Sequence, residues 1–169
     1  MSDNKKSLSL EERITRLEDI EAIKKLKYQY AAYCDDKYNP DGMVSIFTPD
    51  ARWVVSGVGG DARGHAELRK VMASLASTVT WALHYMIAPS VELAADGQSA
   101  TGKFYLFCLF TLAHEDDRSK QDAMMSLGKY TDKFVKLNGR WYFKELNGVI
   151  DHGAEWTKGW VQGAFKKEW

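Results

Sequence analysis

The sequence contains no apolar run long enough to cross a bilayer, so no membrane partner is expected. Its opening, MSDNKKSLSLEER, lacks the apolar centre of a secretory signal. Cysteine is scarce. Cys34 and Cys108 are the only two, without the spacing of a metal site, and they fit free buried thiols in a reducing compartment, the cytoplasm. Net charge is also missing: 23 Lys and Arg balance 23 Asp and Glu, with no basic stripe. Phosphate neutralisation needs clustered cations, so no nucleic-acid partner is expected.

Several catalytic signatures are absent as well. No HExxH pairing suggests zinc, and His65, His114 and His152 stand in turn-like or terminal contexts. The glycine-rich GVGG at 57–60 is not followed by Gly-Lys-Ser/Thr, which excludes a phosphate loop, and there is no GxSxG elbow. What remains is chemistry that one base and one or two hydrogen-bond donors can perform, with no cofactor and no metal.

The 169 residues are enough for one domain with a substantial core. Residues 1–8 read as a disordered lead, 9–153 as the folded domain and 154–169 as a tryptophan-rich tail. Ser9 and Glu12 form a capping-box pattern that opens a helix through Ile14, Leu17, Ile20, Ile23, Leu26 and Tyr30. That helix ends in the pair Asp35-Asp36. An Asn-Pro-Asp-Gly break follows at 39–42, then a short helix near 42–47 and a strand over 52–57. A third helix spans 65–77, with Leu68, Val71, Met72 and Leu75 inward.

The period then changes from 3.6 to 2, with strands expected over 81–93, 100–113, 123–137 and 141–151. The Asn138-Gly139 pair between alternating apolar runs is a strong hairpin signal. Helices followed by an antiparallel meander give an α+β class. The expected form is a cone-shaped, curved, mixed or antiparallel sheet, its N-terminal helices packed on the concave face around an apolar pocket. Phe104, Leu106, Cys108 and Phe110 share the inner face of one strand. Tyr105, Phe107 and Leu109 share the outer face, which needs cover from another subunit, so a homo-oligomer (dimer or trimer) is expected.

Two readings are open for His84, which lies mid-strand between apolar neighbours. It is either a core histidine satisfied by a carbonyl or water, or a base held by a carboxylate on Nδ1. Asp35 and Asp36 point about 100° apart on a helix, so at most one faces inward. Tyr30, on the apolar face, is either core or a phenol that donates to developing negative charge. In the tail, Trp156 and Trp160 lie one helical turn apart. Together with Trp169 they are expected to be covered, as a strap sealing the sheet or a subunit contact, or as a lid over the cavity.

The order of short motifs over 12–153 resembles the SnoaL-like and scytalone dehydratase-like branch of the nuclear transport factor 2-like fold. DIEAIKKLKYQY, CDDK and GRWYFKE are similar to bile acid 7α-dehydratase; FTPDARWVVSGVG, LHY and NGRWYFKELNG are similar to γ-hexachlorocyclohexane dehydrochlorinase. The resemblance implies an Asp–His dyad in a cone-shaped cavity, made here of Asp35 and His84. Helix register favours Asp35, although the dehydrochlorinase pattern alone would pick Asp36. It also implies Tyr30 as a catalytic tyrosine and Trp53 as a pocket wall. Met86, Phe104, Leu106, Cys108, Tyr130 and Leu146 complete the expected substrate pocket. Two departures stand out: Ile150 replaces a dehydratase arginine, and Ala82 replaces a dehydrochlorinase cysteine. The resemblance implies a cofactor-independent lyase, with dehydratase-like elimination from a hydrophobic cyclic or aromatic molecule as the leading version. Formaldehyde or halide loss, double-bond isomerisation and a non-catalytic binding module stay open beside it.

Overall fold

The long first helix opens as the capping box requires. Glu12 N donates to Ser9 Oγ at 3.2 Å, and Ser9 N donates to Glu12 Oε2 at 2.7 Å. In the computed structural model, which describes residues 8–57 and 60–162, this helix is α1, Leu10–Asp35. Except for Leu8, the expected lead over 1–8 lies outside the described residues, as does Trp169. After α1 come α2 (Pro40–Ser45), β1 (Phe47–Ser56), β2 (Asp61–Arg63) and α3 (Gly64–Thr78). Four long strands follow: β3 (Val79–Leu93), β4 (Ser99–Ala113), β5 (Gln121–Leu137) and β6 (Arg140–Glu155). The short α4 (Gly159–Gln162) closes the described chain.

The six strands form one curved, unclosed sheet in the order β2-β1-β6-β5-β4-β3. The meander β3–β6 is antiparallel throughout, while β1 joins β6 in parallel. The fold is therefore α+β with a mixed sheet, and β2 is a strand that the sequence pattern did not show. Asn138 and Gly139 turn the β5–β6 hairpin with φ of +49° and +79°, the twist that suits right-handed strand pairs. Gly148 is required for another reason. A Cβ there would stand 2.6 Å from the Tyr130 ring, so its absence makes room for that phenol.

The core lies between α1, α3 and the concave face. Phe47, Phe134 and Phe143 fill one end of it, with Phe47 and Phe143 stacked at 4.8 Å between centroids. The inward stripe of α1 is shorter than its periodicity suggests. Ile23, Leu26 and Tyr30 are buried, but Ile14 and Leu17 are exposed in the single chain. Buried with that stripe is a charge: Lys27 is fully enclosed, its Nζ 2.8 Å from Asp132 Oδ2 on β5. The expectation that the tail tryptophans are covered is not met within one chain. Trp156 and Trp160 are 56% and 68% exposed, and neither lines the central cavity. Trp156 lies in the turn before α4, and α4 itself is a single turn of four residues, too short to form an inward face.

Candidate active site

Helix α1 ends at Asp35 because the chain turns there, and the turn delivers the Asp35 carboxylate to the middle of β3. Its Oδ1 accepts two bonds from a single residue, one from the backbone N of His84 at 3.0 Å and one from His84 Nδ1 at 2.7 Å. An ionised carboxylate only accepts, so Nδ1 carries the proton, and in the neutral imidazole the lone pair then lies on Nε2. Nε2 has no partner among the described residues, and the imidazole lines the central cavity. The His84 side chain is 9% exposed and Asp35 24%. Asp36 is placed elsewhere. It is exposed, and its Oδ2 accepts from Asn39 Nδ2 at 2.8 Å, which anchors the reversal into α2.

The cavity encloses about 270 Å³. Its walls come from α1 and the turn after it, β1, α3 and the inner rows of β3–β6, so that side chains distant in sequence converge on it. Of the residues named from the sequence, Tyr30, Trp53, Leu106, Cys108 and Tyr130 line it. Met86, Phe104 and Leu146 do not. Phe104 and Leu146 are 2% and 0% exposed in solid core, the Phe104 ring 5.3 Å from Lys27 Nζ, and half-buried Met86 packs beside that core. Alternation along a strand gives the face of a side chain but not its depth, and these three lie where the helices meet the sheet without a gap.

Ten wall positions were not among the expected pocket residues, and Tyr38, Ser126, Leu112 and Ile150 are four of them. Ser126 was within reach of a register argument. His84, Cys108 and Ser126 form one cross-strand row over β3, β4 and β5. Tyr38 gave no such signal, because it sits in the break after α1 where no periodicity applies.

The cavity is a mostly apolar space with polar tips. No Lys or Arg is among its described lining residues. Trp53 Nε1 donates to Tyr30 Oη at 3.1 Å. Burial pushes the phenols of Tyr30, Tyr38 and Tyr130 well above the usual tyrosine range, so each stays a neutral donor. Burial also pushes the Cys108 thiol up to about 12 and raises Cys34, which leaves neither as a thiolate nucleophile near neutral pH. Among the described residues, no three His, Cys, Asp or Glu side chains come together as a metal site, and no helix is long and apolar enough to cross a membrane.

Known proteins share this architecture. A candidate scytalone dehydratase from Novosphingobium aromaticivorans superposes with a TM-score of 0.74 at 16% identity, over 90% of this chain and 95% of that one. The hexachlorocyclohexane dehydrochlorinase LinA-type3 from Novosphingobium barchaimii gives 0.73 at 22%, over 85% and 93%. A further Novosphingobium aromaticivorans protein, described as nuclear transport factor 2-like with a cystatin-like fold, gives 0.64 at 17%, over 88% and 92%. At these identities the likeness is one of fold. The family model of the SnoaL-like domain, however, matches residues 15–147, most of the chain and both sides of the cavity, and the chain therefore belongs to the SnoaL-like domain family.

Proposed function

We propose that this protein is a cofactor-independent lyase that eliminates water from a neutral, hydrophobic cyclic or aromatic molecule. The observation that carries the reading is the 2.7 Å contact between His84 Nδ1 and Asp35, with Nε2 left free in an apolar cavity. Asp35 fixes the tautomer and stabilises the imidazolium once it forms. Nε2 takes a proton from a carbon next to an activating group, and the electron pair of that C–H bond, directly or by way of the activating group, forms the new double bond as the C–O bond breaks. The departing hydroxide recovers the proton from His84 and leaves as water. Tyr30, polarised by the Trp53 indole, supports the departing oxygen.

The wall composition supports the substrate class: a cavity of about 270 Å³ with no Lys or Arg among its described lining residues suits one or two rings better than a carboxylate or phosphate. The solved structures of similar fold carry names that denote loss of water and of hydrogen chloride, so halide is the second leaving group that fits the same base. Two free buried cysteines suit a cytoplasmic setting. The outer face of β3 and β4, where Trp81, Tyr85, Ile87 and Tyr105 are each about half exposed, suits a homo-oligomer contact.

The test is a panel of one- and two-ring β-hydroxy ketones and their β-chloro counterparts, read by the absorbance of the conjugated product. His84→Ala is expected to lose about 10²–10⁴-fold in rate, and Asp35→Asn nearly as much. A His84→Ala protein that turns over at the unmutated rate would end the reading.

A further inference from the structure

Tyr38 is held against its own backbone preference. It and Lys37 are consecutive residues at φ of +53° and +52°, the left-handed region that side chains with a Cβ disfavour. The turn needs such a bend, since Tyr38 N returns to Cys34 O at 3.1 Å and Asn39 N to Tyr33 O at 2.9 Å. It does not need an aromatic ring. A bulky residue kept in a disfavoured conformation beside a catalytic pair suggests that the placement of its side chain is used.

That placement is specific. The Tyr38 ring stands at 90° to the His84 imidazole with centroids 6.1 Å apart. It borders the central cavity and also a smaller void of about 110 Å³ that Asp35 lines. The residue is 9% exposed, yet its hydroxyl hydrogen-bonds to no other described residue. Tyr30 differs on this point, because its oxygen already receives the Trp53 indole N–H and neighbours Cys34 and Tyr130. A phenol with no protein partner, its oxygen still accessible beside the same cavity as Nε2, is placed to donate to a substrate held there.

We propose that Tyr38 is the donor that holds a carbonyl oxygen of the substrate while His84 removes a proton from the adjacent carbon, which makes the substrate a neutral ketone. The proposal rests on His84 being the base. In the first step the C–H bond breaks, its proton moves to Nε2, and its electron pair is carried to the carbonyl oxygen as an enolate. The enolate oxygen accepts the Tyr38 O–H bond and leaves that proton in place. The enolate pair then forms the C=C bond as the bond to the β-hydroxyl breaks, and the hydroxide takes the proton from Nε2.

Deuterium exchange tests this without the natural substrate or any leaving group. The full-length protein is incubated in D₂O with 2-tetralone, a two-ring ketone, and loss of the α-proton signals is followed by NMR. Affinity for tetralin, the same shape without the oxygen, is measured in parallel. Acceleration over buffer that His84→Ala abolishes is expected. Tyr38→Phe, which keeps the ring and its contact with His84, is expected to slow exchange about 100-fold, the order found on removing one donor to an oxyanion, with tetralin affinity unchanged. Tyr38→Leu, which also lacks the hydroxyl, gives the same reading should the Phe variant not fold. Exchange in Tyr38→Phe equal to the unmutated rate, with His84→Ala inactive, overturns the role of Tyr38 and leaves the base in place. Exchange no faster than buffer, or undiminished in His84→Ala, overturns both.

Discussion

Replacing Asp132 by Asn should expose how much the buried charge beneath the cavity matters to folding. Lys27 and Asp132 are both 0% exposed, with Nζ 2.8 Å from Oδ2. Asp132 Oδ1 also accepts the Asn147 backbone N–H at 3.1 Å, a bond that the amide oxygen of Asn can keep. What the substitution removes is the counter-charge. Lys27 Nζ is then left with the Tyr130 ring, 3.3 Å from its centroid, as its principal partner. Breaking a buried pair costs about 3–5 kcal/mol, and the ring returns a part of it, so a loss of about 3 kcal/mol is expected. For a chain of this size that lowers Tm by about 6–12 °C.

The double variant Lys27→Met, Asp132→Asn removes the stranded ammonium and should regain most of the loss, since a buried pair replaced by less polar groups of similar size is often nearly neutral. The pair also sets slopes with pH. Burial lowers the Lys27 amine below its ordinary value, against the attraction of Asp132, so the unfolded chain holds more protons just below the usual lysine range. Stability should rise with pH there. Burial raises the Asp132 carboxyl, against the attraction of Lys27, so the folded chain holds more protons just above the usual carboxylate range, and stability should fall as pH rises through that window. Both slopes should flatten in the double variant. Urea unfolding followed by tryptophan fluorescence measures each quantity. A loss below about 1 kcal/mol in Asp132→Asn, or single losses that simply add in the double variant, would refute the argument.

Two more outcomes follow from burial. Cys34 and Cys108 are 2% and 4% exposed with raised thiol pKa values, so a disulfide reagent such as DTNB should find no thiol in the native protein and two in denaturant; fast labelling of either in the native state would contradict the packing. The half-exposed outer face predicts self-association: light scattering should give a mass above that of one chain, and the double variant Ile87→Glu, Tyr105→Glu should reduce it to the monomer with the fold intact. A monomeric mass for the unmutated protein would remove that proposal.

Much of this architecture is written locally. The capping box at Ser9, the Asn138-Gly139 turn and the alternating inner and outer rows of β4 each depend on residues within a few positions of one another. Such signals survive in any tertiary setting. For the same reason the end of α1 could be placed, and with it the neighbourhood of Asp35.

Local pattern could not by itself settle the choice between Asp35 and Asp36, although helix register favoured Asp35. That choice turns on the strand that crosses the helix end, where the backbone N–H and ring of His84 meet Asp35 while Asn39 claims Asp36. Nor could it distinguish wall from core. Leu106 and Phe104 are alternate residues on one face, yet Leu106 borders the cavity and Phe104 packs around Lys27. Hydropathy gave no hint that Lys27 is enclosed, because its burial depends on Asp132, which lies 105 residues away. Tyr38 is the sharpest case, since a residue in a break between helices carries no periodic signal. Side-chain direction follows from neighbouring residues, whereas depth, enclosure and charge pairing arise from how a curved sheet and a crossing helix fill space, and that is a sum over contacts distant in the chain.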